Sequence, residues 1–134
     1  MNAATEEKIR SDPFTQFLGA VVESIAPGYC RVSLVVRDEV LNFHRLAHGG
    51  VVFGLADIAF AAASNSHGQT ALALNMHISF LRPAQAGDHL VAEAKEVHLG
   101  SATALYDIVV TEKTSGQSIA KVQAMVYRKR QSFA

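Results

Sequence analysis

The chain has 134 residues, of which 49% are hydrophobic and 18% are charged, and its 12 basic and 12 acidic side chains balance. This length suits one domain with a sizeable core, and the absence of a basic excess argues against a nucleic-acid or acidic-membrane partner. The single cysteine, Cys30, excludes an internal disulfide, and residues 1–12 lack the apolar segment of a signal peptide. We expect one cytoplasmic domain spanning residues 1–134.

The first third of the chain predicts short elements. Residues 1–12 suggest a flexible or weakly helical lead. Apolar side chains at helical spacing over residues 14–18 predict a short helix that Gly19 ends. A short strand over residues 20–25 follows. Alternation of apolar and polar side chains then predicts a half-buried strand over residues 29–37.

A long apolar segment follows a loop at residues 38–48. From Gly49 to about Ser66 the segment is rich in alanine and carries one charge, Asp57. Its length and alanine content predict a helix, and a helix that is apolar on all sides must be covered on all sides. A curved sheet, completed where necessary by a second subunit, would cover it.

Four strand-like segments complete the chain, at residues 71–80, 89–98, 103–112 and 118–128. In the first of them, strict alternation would place Leu72, Leu74, Met76, Ile78 and Phe80 on one face and Asn75, His77 and Ser79 on the other. Their short connections favour antiparallel pairing. The basic run at residues 128–130 is interpreted as a solvated tail. The predicted fold class is α+β, with one antiparallel sheet wrapped around one long central helix.

The residues with potential for chemistry lie around the start of the long helix. Backbone N–H groups at Gly49 and Gly50 have no partner within the helix, and the helix dipole is positive there, so this terminus could stabilise an oxyanion. Asp57 lies about 12 Å further along the helix axis, too far to act on the same carbonyl within one chain. A symmetric dimer would bring the acid of one subunit to the glycines of the other. A buried acid held by hydrogen bonds is an equally good explanation of Asp57, and helix initiation alone would explain His48-Gly49-Gly50.

These residues resemble a known family. The set Asn42, His48-Gly49-Gly50 and Asp57 is similar to that of the hotdog-fold acyl-CoA thioesterases of the phenylacetic-acid-degradation (PaaI-type) subgroup. The flanking stretches LADIAFAAASNSHG (55–68) and SFLRPAQAGDHLVAEA (79–94) extend the likeness, which covers residues 12–128. The resemblance implies a hotdog fold, homodimers with active sites shared between subunits, and homotetramers.

The resemblance also implies roles for the matching residues. Asp57 would act as general base or nucleophile, the Gly49 amide would polarise the thioester carbonyl, and Asn42 and His48 would orient the thioester or the water. Substrate-binding roles would fall to four residues: Gly50, Asn75, Arg82 and Ser101.

The implied activity is hydrolysis of acyl-CoA thioesters, with phenylacetyl-CoA or hydroxyphenylacetyl-CoA as the expected substrates. No metal or cofactor is expected, because coenzyme A is part of the substrate. Two alternatives stay open, a non-catalytic hotdog that senses or stores acyl-CoA and, less in keeping with the residues, a hotdog hydratase.

Overall fold

The computed structural model describes residues 1–134 and contains three α-helices and six strands. The helices are α1 (Ala3–Arg10), α2 (Pro13–Leu18) and α3 (Gly49–Asn65), and a 3-10 turn covers Asp38–Val40. The strands are β1 (Val21–Ala26), β2 (Tyr29–Val35), β3 (Gln69–Phe80), β4 (His89–Leu99), β5 (Thr103–Glu112) and β6 (Ser118–Ser132). None of the helices has the length and hydropathy of a membrane-spanning segment.

The six strands form one sheet in the order β1-β2-β4-β5-β6-β3, and every neighbouring pair is antiparallel. Helix α3 packs on one face of this sheet, chiefly against β2, β4 and β5. The predicted α+β arrangement is therefore confirmed. This strand order leaves β1 and β3 at the two edges of the sheet. Strand β3, which directly follows α3 in the chain, therefore has one unpaired side.

The core lies between α3 and the concave face of the sheet. The ring of Phe60 meets the ring of Tyr106 edge-on at a centroid distance of 5.7 Å, and both side chains are almost completely buried. Cys30 is fully buried in the same core, and this burial raises the pKa of its thiol to about 12. The cysteine therefore behaves as a small apolar residue, as expected from its place in a strand.

The prediction that α3 is buried on all sides is correct for most of the helix and wrong for one narrow strip. Side chains facing the sheet are buried, but Gly50, Phe53, Asp57 and Ala61 are only partly covered or exposed. These positions recur every three to four residues, so they share one face of the helix. We call this face the open strip of α3; it holds the only charge of the helix.

Strand β3 departs from the predicted alternation. Leu72 pairs with Tyr127, on the outer face, whereas Met76 pairs with Ala124, whose side chain points into the core. The register shifts between Ala73 and Asn75, so Leu74 is the extra residue of a β-bulge. The bulge reverses the facing of every residue after it, and the five apolar residues of β3 therefore do not share one face.

Strand β6 runs four residues further than predicted, so residues 128–130 belong to the sheet and are not a tail. The guanidinium of Arg128 donates to the carbonyl of Gly100 at 2.8 Å, and its backbone amide donates to Ala102 at 2.7 Å. These bonds hold the turn between β4 and β5. At the other end of the chain, residues 1–12 are mostly helical, because Asn2 caps α1.

Candidate active site

Helix α3 begins at a histidine that caps it. The Nδ1 atom of His48 accepts a hydrogen bond from the backbone N–H of Gly50 at 2.8 Å. A side chain at position 50 would place its Cβ 3.1 Å from that nitrogen, so glycine leaves room for the cap. The Gly50 amide is consequently occupied, whereas the Gly49 N–H has no partner within the chain. One donor is thus left free at the positive end of the helix.

The loop before α3 is organised by Asn42. Its Oδ1 accepts from the amides of His44 at 2.9 Å and Leu46 at 3.2 Å, and its own amide donates to the Leu46 carbonyl at 2.7 Å. Because two backbone N–H groups require an acceptor, the orientation of the side-chain amide is determined, and its Nδ2 group makes no hydrogen bond within the chain. Asn42 therefore has both a structural function and free donors.

Asn42 and Gly49 border the same groove, which has a volume of about 300 Å³ and is also lined by Phe80 and Arg82. The Phe80 ring lies close to Gly49, since a Cβ at that position would be 3.5 Å from it. Arg82 is exposed and makes no ion pair within the chain. The structure thus brings three predicted site residues together in this groove. Asn42 and Gly49 supply free N–H donors at one end of it, and Arg82 supplies an unpaired cation at its wall.

Asp57 lies on the open strip of α3, partly covered by neighbouring side chains. It takes part in no hydrogen bond and no ion pair within the chain, so the alternative of an acid held by internal partners finds no support. Burial raises the pKa of Asp57, and the negative charge of Asp12 on the neighbouring helix raises it further. An unpaired carboxyl with a raised pKa is a suitable proton acceptor for catalysis near neutral pH.

The two halves of the predicted constellation are separate within one chain. Asp57 and Gly49 are eight residues apart on α3, which corresponds to about 12 Å along the axis, and Asp57 does not line the groove of Asn42 and Gly49. Both halves nevertheless border the outside of the molecule, because the open strip begins at the same helix end. Each chain therefore carries two separate parts of a site, the groove with Asn42 and Gly49 and the open strip with Asp57, and neither part is complete alone.

Two further predicted residues lie apart from these halves. Asn75 is exposed on β3 and pairs with Met125, on the face of the sheet that points away from α3. Ser101 is exposed in the turn between β4 and β5. Neither makes a hydrogen bond to Asn42, His48 or Asp57. No group of three or more His, Cys, Asp or Glu side chains is arranged to hold a metal.

Asp12 was not foreseen as a neighbour of the site. It caps α2, accepting from the Thr15 amide at 3.0 Å and from the Thr15 hydroxyl at 2.7 Å. Helix α2 packs on α3 where Gly54 leaves space, since a Cβ there would lie 3.3 Å from the Phe14 ring. The sequence DPFT is typical of a helix cap. The contact between α2 and α3, however, depends on long-range packing and cannot be predicted from a local pattern.

Comparison with known proteins agrees with this geometry. The family model of the thioesterase superfamily matches residues 44–119, which include His48, both glycines and Asp57. The chain belongs to the thioesterase superfamily, and its sheet and central helix form the hotdog fold.

Three relatives narrow the assignment. The acyl-coenzyme A thioesterase PaaI of Escherichia coli is 42% identical over 103 residues, which cover 77% of this chain and 74% of that protein. Its structure superimposes with a TM-score of 0.91 at 35% identity, covering 95% and 91% of the two chains. A variant of the phenylacetic acid degradation protein PaaI of Thermus thermophilus gives 0.84 at 41% identity, covering 88% and 100%.

A Streptococcus mutans protein solved with acetyl-CoA bound gives a TM-score of 0.79 at 31% identity, covering 82% of this chain and 88% of that one. Within the superfamily, the chain is therefore of the PaaI type and a thioester hydrolase.

Proposed function

We propose that the protein hydrolyses acyl-CoA thioesters, with arylacetyl groups such as phenylacetyl or hydroxyphenylacetyl as the acyl part. One observation carries the proposal: helix α3 presents both a free Gly49 amide, beside the free Asn42 donors, and an Asp57 carboxyl without a partner. The relatives support the substrate class, since two of them carry the PaaI name and a third holds acetyl-CoA.

The complete site requires two subunits. A symmetric dimer would place Asp57 of one chain opposite Gly49 of the other and form two equivalent sites. The unpaired edge of β3 supports such a dimer, because Leu72, Leu74 and Phe80 are each at least half exposed there. A homotetramer built from two such dimers remains a prediction that rests on the resemblance, and a cytoplasmic location remains one that rests on the sequence of residues 1–12 and the single cysteine.

In this site Asp57 takes a proton from a water molecule, whose oxygen attacks the thioester carbonyl. The developing oxyanion receives hydrogen bonds from the Gly49 amide and the Asn42 Nδ2 group. Collapse of the tetrahedral intermediate breaks the carbon–sulfur bond and releases the carboxylic acid and coenzyme A thiolate, and the proton held by Asp57 passes to the thiolate, which restores the carboxylate. Direct attack by the Asp57 carboxylate, followed by hydrolysis of the anhydride, uses the same residues.

In this proposal Arg82 contacts the coenzyme A part of the substrate. Its guanidinium is unpaired and lines the groove that begins at Gly49. Guanidinium groups bind phosphates with two parallel hydrogen bonds, and coenzyme A carries several phosphates. Ser101 and Asn75 have no supporting contact in one chain, so the mechanism assigns them no step.

The test uses one substitution in each half of the site. Asp57→Asn removes the base, and Gly49→Pro removes the free N–H from the first helical position, where proline is well tolerated. We expect kcat to fall by about 10²–10⁴-fold for Asp57→Asn and by about 10²–10³-fold for Gly49→Pro. Release of thiol from phenylacetyl-CoA measures both, and Asp107→Asn, an exposed acid on β5, serves as the matched control.

Mixing the two inactive variants tests the shared site. After subunits exchange in an equal mixture, half of the dimers contain one chain of each kind, and each of these has one intact site, so about a quarter of wild-type activity should return. No recovery from the exchanged mixture would contradict a site shared between subunits. Folded Asp57→Asn protein with full activity, or wild-type protein that binds phenylacetyl-CoA without turnover, would overturn the proposed hydrolysis.

A further inference from the structure

A cavity of about 160 Å³ lies between the N-terminal helices and α3, away from the groove of Gly49. Residues of four elements line it, α1, α2, β1 and α3, together with Phe133 near the end of the chain. Its apolar wall consists of Ile9, Val22, Ile58, Ala61, Ala62 and Phe133. The function described above does not account for this cavity.

Most polar groups at the cavity wall are already satisfied. The Thr15 hydroxyl donates to Asp12 at 2.7 Å, and the Asn65 amide group donates to the carbonyls of Ala61 at 2.9 Å and Ala71 at 3.1 Å. The ammonium group of Lys8 has no ion-pair partner within the chain. The wall is therefore mainly apolar, with few polar groups left to be satisfied, which suits a ligand that is mainly hydrocarbon.

The volume of the cavity matches that of a single ring. Apolar protein cavities of about 150 Å³ are known to bind benzene, so about 160 Å³ accommodates one six-membered aromatic ring. A ten-carbon chain needs more space than a benzene-sized cavity provides. The cavity is also too small for the adenine and phosphate groups of coenzyme A.

The position of the cavity relates it to Asp57. Ile58 and Ala61 line it, and they lie within one turn of Asp57 on the side opposite to Gly49. Asp57 itself does not line the cavity but precedes the lining residue Ile58 on α3, and Asp12, which borders the cavity, also raises the pKa of Asp57 through its charge. A thioester with its carbonyl at Asp57 could direct its acyl group into this cavity.

We propose that this cavity is the acyl pocket and that Ala61 and Phe133 set its preference for a single aromatic ring. The proposal rests on the hydrolysis of acyl-CoA argued above. It divides each substrate between two subunits: the acyl group enters the cavity of the chain that supplies Asp57, and coenzyme A follows the groove of the chain that supplies Gly49. The N-terminal helices are then part of the specificity machinery.

The test fills or opens the pocket. Ala61→Phe places a ring in the cavity, and the ratio of kcat/KM for phenylacetyl-CoA to that for acetyl-CoA should fall about tenfold or more. Phe133→Ala removes one wall at the surface and should lower the same ratio while raising relative activity on decanoyl-CoA. Ala4→Leu adds bulk on α1 outside the cavity and is the matched control. An unchanged ratio in both pocket variants would overturn the proposal.

A binding measurement separates this proposal from the proposed function. Phenylacetate, the acid without coenzyme A, should shift the methyl resonances of Ile58 and Ala62 in the wild-type protein and in Asp57→Asn, and should not do so in Ala61→Phe. Binding without any thioesterase activity would contradict the proposed function and leave the pocket supported. Thioesterase activity with no shifts at Ile58 and Ala62 would contradict the pocket alone.

Discussion

Asp57 is an ionisable group without partners on an otherwise apolar helix. Burial and the charge of Asp12 both raise its pKa, so keeping it ionised at neutral pH opposes folding. The sign follows from proton linkage: a carboxyl with a raised pKa stabilises the fold most below its unfolded pKa and loses that contribution as pH rises through its folded pKa. Such a cost is typical of a residue retained for chemistry.

Removing the charge of Asp12 should change the pH dependence of catalysis. In the proposed mechanism Asp57 must be ionised to act as base, so kcat/KM should fall as pH falls through the pKa of Asp57. Asp12→Asn preserves the cap of α2, since asparagine caps helices as well as aspartate does, but it removes the negative neighbour. We expect the acidic limb of the kcat/KM profile for phenylacetyl-CoA to move to lower pH.

Ionic strength provides the control for this shift. Interactions between partly exposed charges are screened by salt, so the difference between wild type and Asp12→Asn should be largest at low salt and shrink at 1 M. A limb that stays in place, or one that moves to higher pH, would show that Asp12 does not act on Asp57 through its charge.

At the scale of elements, the start of α3 shows how one residue can have two functions. His48 caps the helix through Nδ1 and thereby occupies the Gly50 amide, which leaves the Gly49 amide as the free donor. The cap therefore determines which backbone N–H is available to a substrate.

Replacement of His48 should separate capping from other effects. His48→Ala removes the acceptor and should lower the free energy of unfolding by about 1 kcal/mol, whereas His48→Asn should retain most of it. Urea denaturation at a fixed protein concentration measures both. His44→Ala, an exposed histidine that caps no helix, should change stability little; equal losses in His44→Ala and His48→Ala would contradict the assigned cap.

Elements with a strong local pattern were predictable from sequence. The alanine-rich α3, the turn at Gly19 and the strand over residues 103–112 agree with the structure, because periodicity and turn residues determine them locally. The bulge at Leu74 was not predictable, because a one-residue insertion becomes visible only when the strand is paired with β6. The same applies to residues 128–130, whose charges suggested a tail although their backbones pair in the sheet.

The positions of the candidate site residues were predictable in part, whereas their catalytic roles stay predictions. The glycines, Asn42 and Asp57 were identified from their spacing and from a resemblance, and the structure adds which of their hydrogen-bonding groups are free. The cavity beside Asp57 could not be foreseen, because α1, α2, β1 and Phe133 are far from α3 in sequence. Local sequence patterns do not determine tertiary contacts between elements so far apart in the chain.

At the scale of the whole molecule, one polar cluster joins several elements at the end of α3 remote from Gly49. Glu96 on β4 accepts hydrogen bonds from His67 and from the Tyr106 hydroxyl, both at 2.7 Å. Burial alone would raise the pKa of Glu96, but these hydrogen bonds outweigh it and lower the pKa, with help from the charge of Arg128. The ionised form of Glu96 therefore stabilises the fold.

Glu96→Gln should destabilise the protein in a pH-dependent way. A carboxyl with a lowered pKa stabilises the fold above its unfolded pKa, near the ordinary value of 4.5, and this contribution is lost as pH falls through its folded pKa. We expect a loss of about 1–3 kcal/mol at pH 7 that diminishes at pH 4 and below. Urea unfolding across this range measures it, and a difference independent of pH would contradict the argument.

The exposed edge of β3 predicts how the molecule associates. Leu74→Lys places a charge on this edge and, if the proposed dimer forms through it, should yield a monomer of 14.4 kDa with loss of thioesterase activity in parallel. Analytical ultracentrifugation gives the mass. Val97→Lys changes an equally exposed apolar residue on β4 and should leave the mass unaltered. An active monomeric Leu74→Lys protein would argue against shared sites.

Because Gly49 and Asp57 lie on one helix, α3 sets both the distance and the angle between the free amide and the carboxylate. Along a rigid helix, a one-residue insertion turns everything beyond it by about 100° and advances it by about 1.5 Å. An insertion between Phe53 and Asp57 would therefore misdirect the carboxylate even if every side chain were kept. In the proposed dimer, the number of residues from the cap to the acid therefore matters to turnover as much as the identity of those residues.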